Sequence, residues 1–600
     1  MAVKTAQASG NASAGATWVG GVAPADGDTY SIGNFNITQD VSITLGTDAG
    51  PGNNAIVFTS AGQGSYTIAS GVTVTVKGDI QMAGNNSARN TQFTVNGSLV
   101  WYGANFAYRL RATASAVGDR WLFRIIGSSA ASLATMTTSP NTHPAYYDRN
   151  GMAFGGYFDL QFASVSYFGD ASNYCFQTYL DNYGDGYFSA VDSKADNCGL
   201  IANIGSMQPG ATITLTRFVT TNELNANSIS FSCDSSTVTA VTLTDCYFSA
   251  KASFNCSGGT RAVNITGTTF AGGLDSSGST AFRTWDNNLV VIPNGGTMIQ
   301  TPGPATTGNY YYHSSVSNPH WIALNDADPC DHVGDIFECG TSATDGDVLL
   351  STGPASSKSI TVRNCLVLPN ADDLPCGSLL SMIGNSNWHV TVSHNTWASD
   401  GTGEPRGCGY GETNAGYADE FVYIKSNLAF HPSLARATIL ARLSGSSVQD
   451  VVTGGATSVD YNGYWNVLAS ATDGHGVHAQ SGTTVFSNTT GLGSHDVPLS
   501  SNPFVDWTRK LKKWSVSLGQ ASTASAALSI LQSKVDITQS SLSASGTVSN
   551  LIAYVKTGYN VTASSLQNAG HDGATIGAQG FSTASINKAA LTVFNQFALN

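Results

Sequence analysis

One short motif recurs through the middle of the chain and constrains its fold more than any other feature. It reads apolar, any, apolar, four residues, then a bulky apolar residue. It occurs as Val241-Thr-Leu243 to Phe248, Val263-Asn-Ile265 to Phe270, Ile360-Thr-Val362 to Val367 and Val390-Thr-Val392 to Trp397. A looser copy is Val422-Tyr-Ile424-Lys-Ser-Asn427. In three copies the third residue after the second apolar position is Cys246, Cys365 or Asn395. Neighbouring copies are 22, 30 and 32 residues apart. A short motif at irregular intervals of roughly 20–30 residues is what stacked coils of a parallel β-solenoid produce, with insertions at the turns. Coils stack about 4.8 Å apart, so equivalent side chains form ladders inside the tube. An Asn in such a ladder can hydrogen-bond along the axis. The alternative is an array of antiparallel sandwiches.

The N-terminal hundred residues carry shorter alternating runs, including Tyr30-Ser-Ile32, Val41-Ser-Ile43-Thr-Leu45, Val72-Thr-Val74-Thr-Val76 and Phe93-Thr-Val95. Period two with Gly, Asn or Ser at the ends predicts strands. Composition agrees. Charged residues are 11% of the chain, against about 25% in ordinary soluble proteins, and there are 65 glycines. Lys and Arg number 26 against 39 Asp and Glu, a net charge of −13. An acidic chain cannot displace counterions from phosphates by basic surface, so sequence-independent nucleic-acid binding is excluded. With 41% hydrophobic and 10% aromatic residues the chain can bury a large core. Residues 1–17 have no apolar run, so no secretory signal is expected, and no stretch is long and apolar enough for a membrane span. The ten cysteines contain no C-x-x-C pair. We expect most to be buried free thiols, with a disulfide network as the alternative.

The last hundred residues change character. The stretch 502–514 ends in a basic run, Leu551-Ile-Ala-Tyr-Val555 precedes Gly558, and 566–578 is Gly-rich. Short helices stopping at Gly519 and Gly558 are predicted. Ile586, Ala590, Val593, Phe594 and Phe597 fall on one helical face, which is expected to dock on the end of its own solenoid or on a neighbouring subunit. The predicted organisation is an N-terminal arm over 1–17, a β-helix with N-terminal cap strands over 18–500, and a helical and loop attachment module over 501–600. The terminal segments are expected to cap the solenoid's ends.

Residues 359–370 (SITVRNCLVLPN), 389–397 (HVTVSHNTW) and 421–430 (FVYIKSNLAF) resemble the right-handed parallel β-helix superfamily of pectate lyases and phage tailspikes. The stretch 502–578 is similar to a C-terminal module of phage virion proteins that carry β-helices. The resemblance implies an all-β, right-handed parallel β-helix with a small helical C-terminal module. It also implies a virion structural protein: a tail fibre, a spike or a capsid-decorating fibre, assembled in the host cytoplasm as a homotrimer. Its partners would be other virion proteins and host surface glycan, with no nucleic acid and no membrane insertion. The rival reading is a tailspike-type glycosidase or lyase on the same fold, so enzymatic activity is left open and a structural role is favoured.

Candidate chemistry concentrates in 326–347, where Asp326, Asp328, Asp331, Asp335, Glu338, Asp345 and Asp347 cluster. Paired carboxylates roughly 5–10 Å apart can cleave glycosidic bonds, so Asp326, Asp328, Asp331 and Glu338 are the weak catalytic candidates. An oxygen-rich cluster can instead hold Ca²⁺, and a solvated loop is the favoured reading. No other cofactor is expected. His389 with His394, and His475 with His478, invite a metal reading. Strand alternation sends 389 and 394 to opposite sides, and the second pair has no third ligand nearby, so turn or surface histidines are favoured for both. The aromatic residues of 146–188 are read as packing or interface residues before glycan contacts.

Overall fold

The structure is a computed structural model. It describes residues 2–511, with short gaps between strands such as 84–89 and 369–379, and residues 547–578. The chain is a parallel β-solenoid, and among the described residues it has one α-helix near the C-terminus. It divides into two compact units, Met1–Gly272 with Gln532–Ser545, and Gly273–Leu531 with Gly546–Asn600. The stretch read as one β-helix over 18–500 thus spans both units.

In the first unit each coil contributes strands to three faces. The first face opens with a six-stranded sheet from Val3–Thr5 through Thr29–Ile32 to Tyr146–Arg149. The second face contains Asn36–Gln39, Ser65–Ile68, Asn90–Val95 and Arg120–Ile126 in parallel register. The third contains Ile43–Gly46, Thr73–Lys77, Ser98–Trp101 and Ala134–Thr138. Because Val3 pairs with Thr29 and Gly10 with Ile37, the segment read as an N-terminal arm already carries ladder strands. Trp18 is fully buried against Tyr30, with ring centroids 4.7 Å apart, and its indole N–H donates to the Ala12 carbonyl at 2.8 Å. Asp28 holds this first coil, accepting from the Ala2 and Ala25 amides. Burial would raise its pKa, but those two donors and Lys4 bring it below the ordinary value.

Inward aromatic rings continue the stack from Tyr30 through Tyr66, Phe93 and Phe123, with centroids 5.2–5.9 Å apart. Phe158, Phe168, Phe176 and Phe188 are buried, as the packing reading of that aromatic stretch expects. Cys175, Cys198, Cys246 and Cys365 are buried free thiols.

The recurrent motif is the turn from the second face to the third. Val241, Leu243 and Phe248 are buried in the first unit, as are Val263, Ile265 and Phe270. In the second unit Ile360, Val362 and Val367 are buried and pair with Val390, Val392 and Trp397. The four residues between the apolar positions form a bend. One takes a left-handed backbone, as at Asn287, Gly308, Gly334, Asn364, His394, Ser426 and Tyr461, with φ between 55° and 68°. The next points inward. Where Asn or Asp fills the corresponding place one coil on, its backbone N–H meets that side-chain oxygen. Asn395 donates to Asn427 Oδ1 at 2.9 Å, Asn427 to Asn462 Oδ1 at 2.9 Å and Asn462 to Asp496 Oδ1 at 2.7 Å. Asn288 donates to Asn309 Oδ1 and Asn309 to Asp335 Oδ1 in the same way. The ladder foreseen at Asn395 is therefore present.

The third face of the second unit is apolar on both sides. Leu289 to Val291, Tyr310 to Tyr312 and Leu366 to Leu368 are buried throughout, whereas half-solvated strands alternate. Their outer sides are covered by residues 501–511, by helix α1 (Thr547–Gly558) and by 559–578. Val548, Leu551, Ile552, Val555 and Tyr559 of this segment pack on Leu289, Tyr310, Ile336, Leu366 and Leu428. Burying Leu551, Ile552 and Val555 contributes about 1.5–3 kcal/mol each. The described C-terminal segment therefore lies along the solenoid's side, which corrects the expectation of an end cap. A solenoid end exposes a strand edge, but a doubly apolar face is the larger hydrophobic surface to cover. The expected docking face, Ile586, Ala590, Val593, Phe594 and Phe597, lies outside the described residues.

Lys556 of α1 is half-buried, with its Nζ close over the Gly334 bend. Burial lowers its pKa, and the Asp335 carboxylate opposes that shift. A Cβ at Gly334 would stand 2.9 Å from Lys556 Nζ, and Gly334 has φ of +68°. Gly334→Ala should therefore lower stability by about 1–2 kcal/mol through the left-handed backbone alone, plus the displacement of Lys556. Chemical denaturation of the two proteins checks this, and an unchanged midpoint would contradict it.

Candidate functional site

The site is a groove where three coils of the second unit turn and the C-terminal segment crosses them. Strands Lys358–Arg363, Trp388–Ser393 and Phe421–Lys425 end there, side by side in parallel register. Each is followed by its left-handed bend residue, Asn364, His394 or Ser426. Residues 570–578 lie across these bends. Gly577 N–H donates to the Ser426 carbonyl at 2.7 Å, and Ala578 N–H to Thr396 Oγ1 at 2.9 Å. The groove has a volume of about 490 Å³. Thr361, Arg363, Thr391, Ser393, His571 and Asp572 are among its lining residues.

His394 is buried, and His571 and Asp572 are exposed beside it. His394 Nδ1 lies 2.9 Å from the Thr575 carbonyl, so that nitrogen carries the proton and donates. Its Nε2 lies 3.1 Å from Asp572 Oδ2; a carboxylate only accepts, so this edge is a hydrogen bond when Nε2 is protonated as well, and a metal ion between the two would displace that proton. His571 places Nδ1 2.9 Å from Ser426 Oγ, and the same oxygen accepts the His571 backbone N–H at 2.9 Å. The two imidazole centroids are 5.5 Å apart. Although its side chain reaches solvent, His571 is partly desolvated by the groove wall, which lowers its pKa with help from His394 and Lys425 and against the pull of Asp572. Burial would raise the Asp572 carboxyl, but the Ala574 N–H and His394 outweigh it and hold it below the usual range. At neutral pH His571 is a neutral imidazole beside the Asp572 carboxylate. Two nitrogens and one oxygen donor then face a common space, a set suited to a metal ion or a polar ligand.

Of the residues singled out in the sequence, Asp326 and Asp328 lie outside the described residues. Asp331 is half-buried on the strand Cys330–Val333, opposite Ala305 and Thr361, and alternates with buried His332. Asp335 points into the tube, where Oδ2 meets Thr306 Oγ1 at 2.8 Å and His332 Nδ1 at 2.9 Å. Glu338 lies on the next face, 5% exposed, beneath the C-terminal segment. It accepts from the Tyr310 hydroxyl and, at 3.1 Å, from the Leu511 amide. Burial and Glu338 together push the Tyr310 phenol well above its usual pKa. Neighbours in sequence are thus parted by the bend, and a buried anchor occupies the Glu338 position. His475 lies outside the described residues, while His389 and His478 sit in described strands. Sequence reasoning missed the meeting of His394 with His571 and Asp572. The available signal was that His394 occupies the bend position next to the ladder Asn, while His-Asp-Gly opens the Gly-rich loop.

Glu338→Ala should leave the Tyr310 hydroxyl without its carboxylate acceptor and cost about 1–3 kcal/mol. Urea unfolding checks this, and Glu338→Gln should fall between the two because it keeps an acceptor without the charge. Equal stability of all three proteins would contradict the anchoring role. No protein-family model matches the chain, and neither a curated protein nor a solved structure is significantly similar to it.

Proposed function

We propose that the chain is a structural component of a bacteriophage virion, a rigid β-solenoid appendage used for attachment. The observation that carries this reading is the lengthwise packing of the C-terminal segment. It ties together coils from Leu289 to Leu428 through a shared apolar core. Shearing coils apart along that face requires breaking both the strand ladder and this core, which suits a part that bears load. The resemblance of 502–578 to a virion module and of the motif to tailspike β-helices supplies the phage context. Homotrimer formation belongs to the same proposal, since cyclic symmetry buries one patch on every copy. The polar groove with its Thr, Ser, Arg and His lining favours contact with a surface glycan over contact with an apolar partner.

The test is to incubate the purified chain with bacterial surface polysaccharides while following co-sedimentation, oligomeric mass and glycan chain length. The proposal expects a trimer that binds one of the polysaccharides and leaves its chain length unchanged. Shortened chains would replace it with the glycosidase or lyase reading. A monomer that binds none would remove the attachment role.

A further inference from the structure

We propose that His394, His571 and Asp572 form a binding site for a divalent transition ion of the Zn²⁺ class, which fastens the C-terminal segment to the side of the second unit. One ligand atom from each residue lies within 4.8 Å of the other two. Two imidazole nitrogens and one carboxylate oxygen make a borderline donor set. Such a set suits Zn²⁺ and its neighbours, whereas Ca²⁺ and Mg²⁺ require mostly oxygen. The inference stands apart from the attachment role, because it rests on these side chains alone.

The surrounding contacts resemble those that orient metal ligands. A metal-binding His commonly donates its other ring nitrogen to a carbonyl or a hydroxyl, which fixes the ring and its tautomer. His394 has Nδ1 on the Thr575 carbonyl and turns Nε2 toward Asp572. His571 has Nδ1 on Ser426 Oγ, which directs its Nε2 away from that partner. Asp572 is oriented as well, since Oδ1 accepts the Ala574 N–H at 3.0 Å while Oδ2 faces His394.

A tetrahedral Zn²⁺ at roughly 2.0–2.1 Å from each ligand needs its donors roughly 3.4 Å apart. The His394–Asp572 edge already measures 3.1 Å. His571 and Asp572 are exposed, so small side-chain rotations close the remaining distance. The fourth position would open to the groove and take water. Arg363 lines the same groove, and Lys425 acts on His571, so the local field opposes a cation. Coordination bonds must outweigh that opposition. A hydrogen-bonded cluster without metal is the competing account.

The experiment is calorimetric titration of ZnCl₂ into the metal-stripped full chain, alongside His571→Ala and Asp572→Asn, with thermal unfolding of each. The proposal expects one tight Zn²⁺ per chain and a higher Tm on loading, with no such rise for CaCl₂. It expects each variant to lose more than about tenfold in affinity, since even outer-shell changes cost 10–100-fold. Both substitutions are at exposed positions, and the metal-free Tm of each variant, measured beside that of the metal-free wild type, separates lost ligation from lost folding. CoCl₂ should add a visible absorption band in the wild type only. No binding, or binding equally tight in either variant, would overturn the proposal, the latter assigning the ion to other histidines.

Discussion

The structure depends on how each coil turns from its second face to its third. At that bend the backbone leaves the strand ladder, and a buried N–H would lack a partner. An unsatisfied buried N–H costs free energy comparable to a lost hydrogen bond. The chain answers with an inward side chain one coil on, whose oxygen accepts that N–H. Asn395, Asn427, Asn462 and Asp496 do so in succession, and Asn288, Asn309 and Asp335 form a second run. Asn309, Asn395, Asn427 and Asn462 also donate Nδ2 to a carbonyl on a preceding strand, as Asn395 does to Val362 and Asn427 to Val392. A shift of one residue would place these groups on the wrong side of the wall. The ladder therefore sets register as well as satisfying the bend.

The bends also decide where chemistry can arise. Their left-handed residues stand at the corner between two faces, where a side chain points neither into the tube nor along a strand. In the second unit the adjoining face is doubly apolar and recruits the C-terminal segment, so that segment must cross the corners. Where a corner residue is Gly334, Lys556 approaches closely. Where it is His394, the loop supplies His571 and Asp572 instead. The candidate site is thus a product of the packing that stabilises the third face.

This explains which parts were legible in the sequence. The solenoid was, because strand alternation and the bend repeat together in Val241 to Phe248, Ile360 to Val367 and Val390 to Trp397. The ladder role of Asn395 was legible for the same reason. The doubly apolar face was not read from the sequence, although Leu289-Val-Val-Ile292 and Leu366-Val-Leu368 lack the alternation of a half-solvated strand. The site was not legible, because His394 and Asp572 are 178 residues apart and meet only when the segment docks. The acidic cluster misled for the opposite reason. Asp331, Asp335 and Glu338 are close in sequence, but the bend between Val333 and Ile336 sends them outward, inward and onto the next face.

A double-mutant cycle on Asn395 and Asn427 tests the ladder most directly. Asn395→Ala, Asn427→Ala and the double variant are compared with wild type by equilibrium denaturation. Each single substitution should be strongly destabilising, and the pair should be less than additive, with a coupling of about 1–2 kcal/mol, because the second loss removes groups the first has already orphaned. Additive losses would contradict the account and mean that the two residues stabilise their coils independently.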